Sequence, residues 1–124
     1  MSELACLEVA VLLWIVHVLL QANLTGAPPA YLFSSRDDPP PAPGTIGGRA
    51  ARAARNYMDN FPPFAALVLA FLATNHPAGI WPTVWIVARI AYLPLYLFNG
   101  VYARTTAWLI SIVALVAMLI RLAL

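Results

Sequence analysis

Residues 4–20, LACLEVAVLLWIVHVLL, form an apolar run that only Glu8 and His17 interrupt. A helix that crosses a bilayer about 30 Å thick needs roughly 20 apolar residues in succession. The run lacks the basic start and the small-residue cleavage site of a secretory signal peptide, so we expect it to be retained. It predicts a membrane-spanning helix over about residues 4–22.

The composition of the chain also indicates a membrane protein. Of its 124 residues, 62% are hydrophobic and 10% are charged, and the mean hydropathy is +0.79. An average soluble domain is roughly a quarter charged. A small soluble domain buries a smaller fraction of its surface than a large one, so it could not hide this much apolar surface from water. These values exclude a soluble globular enzyme, a disordered chain and a nucleic-acid-binding protein. The single cysteine, Cys6, excludes an internal disulfide.

The rest of the chain divides into a linker and three further spans. Residues 23–48 are rich in proline and glycine, which prevents a continuous helix there. The second span is predicted over about 49–74, with a kink at Pro62 and Pro63. The third is predicted over about 80–98 and the fourth over about 104–121. The fold class is therefore expected to be all-α, an integral membrane four-helix bundle.

The distribution of arginine predicts how the bundle lies in the membrane. Arginines concentrate on the side of the linker, whereas the opposite side offers only Arg121 and the amino terminus. The linker-side residues are Arg36, Arg49, Arg52, Arg55 and Arg104. Because cytoplasmic loops carry an excess of arginine and lysine, the 23–48 loop is predicted to be cytoplasmic and both termini to lie outside.

Two polar stripes run along the predicted second and third spans. Residues spaced by three or four lie on one helix face. On the second span the stripe contains Arg52, Asn56 and Asp59 with Arg55 beside them, and on the third it contains Arg89, Tyr92, Tyr96 and Asn99. Facing one another, these groups would form an anion-binding cleft that opens towards the cytoplasm. The alternative is that they satisfy one another as polar contacts between helices.

Arg89 lies near the middle of its span, where an ionised side chain needs a partner. Asp59 is the only acid within the second to fourth spans. We therefore expect a structural pairing of Arg89 with Asp59.

His17 is the other ionisable residue within a span that could carry function. A histidine inside the membrane could ligate a pigment or a metal, or relay a proton. A hydrogen-bonded packing role is the alternative that we favour. The small residues Ala107, Ser111 and Ala114 are spaced to form a seam for close helix packing.

Two runs of sequence resemble the MAPEG family, the membrane-associated proteins in eicosanoid and glutathione metabolism. Residues 52–64, RAARNYMDNFPPF, resemble the family hallmark Arg-x-x-x-Asn-x-x-Glu-x-x-Pro-x-Phe, with Asp59 in place of the glutamate. Residues 88–96, ARIAYLPLY, followed by 104–108, RTTAW, resemble the third-helix and fourth-helix signature of the bacterial branch.

The resemblance implies a homotrimer of four-helix bundles with glutathione between neighbouring subunits near the cytoplasmic face. The glutathione-binding residues it implies are Arg52, Asn56, Asp59, Tyr92 and Tyr96. Arg104 matches the arginine that activates the thiol as a thiolate. Besides Asp59, a second departure from the family pattern is Ala54, which stands where active members often carry a polar side chain.

Two functions follow as hypotheses. The first is a glutathione-dependent transferase or peroxidase that acts on lipophilic electrophiles, in a bacterial inner membrane. The alternative is a non-catalytic small membrane subunit that packs against a larger membrane complex and holds lipid, quinone or pigment. Membrane lipids are the expected surroundings in both cases, with no nucleic-acid partner and no metal.

Overall fold

Helices are the only regular secondary structure in the computed structural model, which describes residues 1–124. The helices are α1 (Glu3–Leu24), α2 (Pro29–Leu32), α3 (Thr45–Thr74), α4 (Trp81–Leu97) and α5 (Val101–Ala123). The all-helical class is confirmed, and four of the helices are long. By length and composition, α1 and α5 are apolar enough to cross a membrane.

The first turn of α1 carries a side-chain cap and is hydrogen-bonded to the turn between α3 and α4. The Ser2 hydroxyl accepts a hydrogen bond from the Ala5 N–H at 3.2 Å, as is typical of an N-cap. The Glu3 carboxylate accepts one from the Ala78 N–H at 3.0 Å. Most of the other α1 side chains are exposed, Leu12 at 61% and Leu19 at 56%, as expected of a helix that faces lipid.

Helix α3 begins earlier than the sequence predicted, at Thr45 rather than near Arg49. The linker predicted over residues 23–48 contains the short helix α2. The first two residues of that predicted linker belong to α1. In the first turn of α3 the backbone of Gly47 lies directly against the Leu24 carbonyl at the end of α1. Only a residue without a Cβ permits this close approach.

Helix α3 continues as a single helix through Pro62 and Pro63. Proline has no backbone N–H, so the carbonyls of Met58 and Asp59 lose their usual partners in the helix. Both prolines are exposed.

The turn between α4 and α5 contains Asn99 with a φ of 64°. Helix α5 begins at Val101, before the predicted residue 104, so Arg104 lies in its first turn. The predicted small-residue seam is observed: Ala107, Ser111 and Ala114 are 7%, 0% and 0% exposed. Since α5 packs mainly on α4, this seam joins these two helices.

An aromatic cluster joins α1, α3 and α4 in the middle of the bundle. The rings of Phe64 and Trp85 stack with their centroids 3.9 Å apart. The Tyr57 hydroxyl donates a hydrogen bond to the Ala10 carbonyl at 2.7 Å. These contacts fix the relative positions of the three helices. They therefore also fix the positions of the helix ends that carry the polar side chains.

Gly47 and Gly48 offer a matched test of the contact between α1 and α3. We expect Gly47→Ala to destabilise the protein by about 1–3 kcal/mol, because the added methyl would overlap the Leu24 carbonyl. Gly48→Ala meets only the flexible end of Arg52 and should stabilise the helix by about 0.5–1 kcal/mol. Thermal unfolding of both variants in detergent measures the difference. Equal effects of the two substitutions would contradict the close approach.

Candidate functional site: a polar pocket at the linker end

A polar pocket of about 250 Å³ lies between α3, α4 and α5, at the end of the bundle that carries the linker. It is lined by Asn56, Tyr92, Tyr96, Arg104, Thr105 and Trp108. Four of these were predicted as site residues from the sequence, and the structure brings those four together.

Tyr96 and Arg104 form the mouth of the pocket. The Arg104 guanidinium lies over the Tyr96 ring, with its carbon 4.5 Å from the ring centroid. Such a cation–π contact holds the face of the guanidinium, which leaves the N–H groups at its edge for a ligand. Tyr92 packs beside Tyr96 with ring centroids 5.5 Å apart, so two phenol rings line the same wall.

Arg89 is fully buried below the pocket, at 0% exposure. Its Nη1 donates a hydrogen bond to Asn56 Oδ1 at 2.7 Å, while its Nε and Nη2 have no hydrogen-bond partner. The rings of Trp85 and Tyr92 each lie 5.4 Å from the guanidinium carbon. Aromatic faces and one amide oxygen thus surround this cation.

The expected pairing of Arg89 with Asp59 is therefore corrected: within the chain the partner is Asn56. Asp59 lies three residues further along α3, where its side chain is exposed. Three residues turn a helix by about 300°, so Asp59 is offset by about 60° around α3 from Asn56, and it is Asn56 that meets Arg89.

The contact with Arg89 determines what Asn56 offers to the pocket. Since Oδ1 is used as the acceptor, the Nδ2 amino group is left to donate hydrogen bonds. The Arg104 guanidinium also donates, and the Trp108 indole N–H has the same capacity. No carboxylate lines the pocket, so its chemistry suits a carboxylate, a thiolate or another anion.

Arg52 and Asp59, also predicted to bind a ligand, do not line this pocket. Both are exposed on one side of α3, together with Arg55. We call these three residues the charged stripe of α3. It lies next to Asn56 on the helix surface, but nothing else in the chain covers it.

His17 lies in the packed interior. It is 2% exposed, its Nδ1 donates to the Leu13 carbonyl at 2.8 Å, and its ring stacks on Tyr57 with a centroid distance of 4.5 Å. This is the packing role that we favoured from the sequence. The chain contains no group of three histidine, cysteine or acidic side chains close enough to hold a metal ion.

Sequence reasoning missed Thr105 and Trp108. Trp108 lies four residues after Arg104, so helical spacing could have placed both on one face. The predicted fourth span, about 104–121, contains both residues, so the sequence already carries this signal.

These features define an all-helical membrane bundle with a cationic, phenol-lined pocket at one end. A comparison with protein-family models matches residues 4–124 to the MAPEG family. The match covers essentially the whole chain, and the protein belongs to the MAPEG family. A comparison with curated proteins finds no match. The resemblance to the MAPEG family is thereby confirmed, as is the membrane helical bundle.

Asn56→Asp tests the role of the buried cation. We expect this variant to be more stable than the wild type by about 1.5–3 kcal/mol, because Arg89 gains an ionised partner. Asn56→Leu removes the only acceptor and should cost about 3 kcal/mol or more. Thermal unfolding in detergent compares the two. An Asn56→Asp variant less stable than the wild type would contradict the expected gain from an ionised partner for Arg89.

Proposed function

We propose that this protein binds glutathione in the polar pocket and uses its thiol to attack lipophilic electrophiles. MAPEG proteins generally use glutathione. The observation that supports the proposal is the convergence of Asn56, Tyr92, Tyr96 and Arg104 on one pocket without a carboxylate. Such a lining favours an anionic ligand and disfavours a cation.

Arg104 is the residue proposed to activate the thiol. A thiolate is the nucleophile, and a neighbouring guanidinium lowers the pKa of a thiol by stabilising the anion. The proton leaves to water at the linker end of the bundle. Thiolate sulfur then forms a bond to the electrophilic carbon, and the leaving group departs with its electron pair.

The size of the pocket supports a site completed by a second copy of the chain. Its volume of about 250 Å³ is below the roughly 300–1,000 Å³ of most small-molecule pockets. The adjacent charged stripe of α3 is uncovered, and charged groups on a membrane helix usually face a protein partner or a water-filled cavity. We propose a homotrimer in which Arg52 and Asp59 face the neighbouring subunit and contribute to the cleft.

A second candidate function is a lipid-holding or quinone-holding subunit of a larger complex, without catalysis. The observation in its favour is an apolar groove of about 600 Å³ between α4 and α5. Its lining includes Ala103 and Ala107 but not Arg104. Purification in mild detergent separates the candidates: a trimer that binds glutathione supports the first, and co-purification with large partners supports the second.

Arg104→Ala should reduce kcat/KM for glutathione with a chromogenic aryl halide by about 10²–10³-fold at neutral pH. The loss should shrink as the pH rises past about 8.5, where an unperturbed thiol ionises without help. Arg104→Lys, which keeps the charge, should retain more activity than the alanine variant at pH 7. The pH–rate profile is the readout. A loss that stays the same at every pH would assign Arg104 to binding alone.

Binding can be tested apart from catalysis by isothermal titration with glutathione. We expect Tyr96→Phe and Arg52→Ala each to weaken binding by about 10-fold, through loss of one hydrogen bond or ion pair. Both variants should remain trimers. Arg36→Ala, a linker arginine outside the pocket, is the control and should bind normally. No binding by the wild type at millimolar glutathione would refute the proposed function.

If instead Tyr96→Phe and Arg52→Ala both fail to form a folded trimer, the polar residues act as contacts between helices. The Asn56→Asp variant then decides between the two roles. A stable fold that has lost glutathione affinity assigns Asn56 to the ligand, because the substitution replaces a donor with a negative charge.

A further inference from the structure

A second groove with one cationic side chain lies at the end of the bundle opposite the linker. It has a volume of about 590 Å³, and we call it the end groove. Its lining consists of His76, Pro77, Trp81, Ala117, Ile120, Arg121 and Leu124. The α3–α4 turn and the last turns of α5 form its two walls, so it shares no residue with the polar pocket.

Arg121 is held in a fixed position in this groove. Its Nε donates a hydrogen bond to the Pro77 carbonyl at 2.7 Å. The guanidinium also packs against the backbone of Gly79, whose φ is +72°, and a Cβ placed there would lie 3.5 Å from the guanidinium carbon. With Nε used by the protein, the two terminal amino groups remain to bind a ligand.

The charges around the end groove favour an anion. Arg121 is the only side chain of permanent charge in the lining, and His76 adds ring N–H capacity. The nearby carboxylate of Glu3 is already engaged by the Ala78 N–H at 3.0 Å. A guanidinium with two free amino groups is well suited to bind two oxygens of a phosphate.

The apolar side of the end groove runs from Arg121 back along α5, towards the middle of the helix. Ala117 lies one helical turn before Arg121, towards the bilayer centre, and Ile120 is 55% exposed beside it. Trp81, the first residue of α4, stands at the opposite wall, in the position that tryptophan takes at membrane surfaces. A cation above an apolar channel suits an amphiphile, whose charged headgroup would meet the cation and whose apolar chain would lie in the channel.

We propose that the end groove binds a membrane phospholipid, with the phosphate on Arg121 and an acyl chain along Ala117 and Ile120. A free phosphate ion would use Arg121 but would leave the apolar wall uncovered. A phospholipid covers both, and it is present wherever the helices cross a bilayer. This site is independent of the proposed glutathione chemistry, since the two lie at opposite ends of the bundle.

The test uses the full chain in detergent with phosphatidylglycerol as the probe, followed by native mass spectrometry and thermal unfolding. The wild type should retain the lipid and gain thermal stability as it is added. Arg121→Ala should need an about 10-fold higher lipid concentration for the same effect. Arg36→Ala is the matched control, because Arg36 also donates to a backbone carbonyl, that of Leu32 at 3.1 Å, but lies in the linker. It should behave like the wild type.

A second variant keeps the charge and blocks the channel. Ala117→Phe should weaken lipid binding although Arg121 is intact, and it decides the matter if Arg121→Ala does not fold. Equal lipid retention by the wild type and either folded variant would overturn the proposal. Stabilisation by inorganic phosphate as strong as that by phosphatidylglycerol would also overturn it, since the site would then bind a simple anion.

Discussion

The hydrogen bond from Arg89 to Asn56 is the interaction on which the rest of the site depends. A guanidinium at 0% exposure has to be placed where aromatic faces and an acceptor surround it, because an isolated buried charge is very costly. Trp85 and Tyr92 supply the faces and Asn56 the acceptor. This requirement fixes how α3 and α4 face each other, and it turns the amide of Asn56 so that only a donor is left for the pocket.

The charged side chains of this protein have different roles, which depend on where each lies in the bundle. Arg89 is enclosed and orders the interior, whereas Arg104 lies at the start of α5 where it can meet a ligand. Arg121 is held at the other end by Pro77. The charged stripe of α3 is exposed and has no partner within the chain, which supports the homotrimer proposed above.

Much of the fold could be predicted from the sequence because apolar runs and proline clusters act locally. The four long helices and the turns near residues 75 and 99 follow from such signals, whereas the start of α3 does not. The first turn of α3 includes the contact of Gly47 with Leu24, which joins residues distant in the chain and which no local pattern contains. For the site, spacing placed Asn56, Tyr92 and Tyr96 on the correct faces, but the choice of partner for Arg89 depends on helix rotation, which no single helix pattern contains.

The contact between Gly47 and Leu24 has a consequence for the segment that it encloses. Residues 25–44 leave the bundle and return to the point where they left, since a Cβ at Gly47 would lie 3.2 Å from the Cα of Thr25. The packing of α1 against α3 already holds the two ends of this loop together. A longer loop would therefore add little to the entropic cost of closing it. The segment is therefore a natural insertion point, where a tag or a whole accessory domain could be accommodated without moving any of the four long helices.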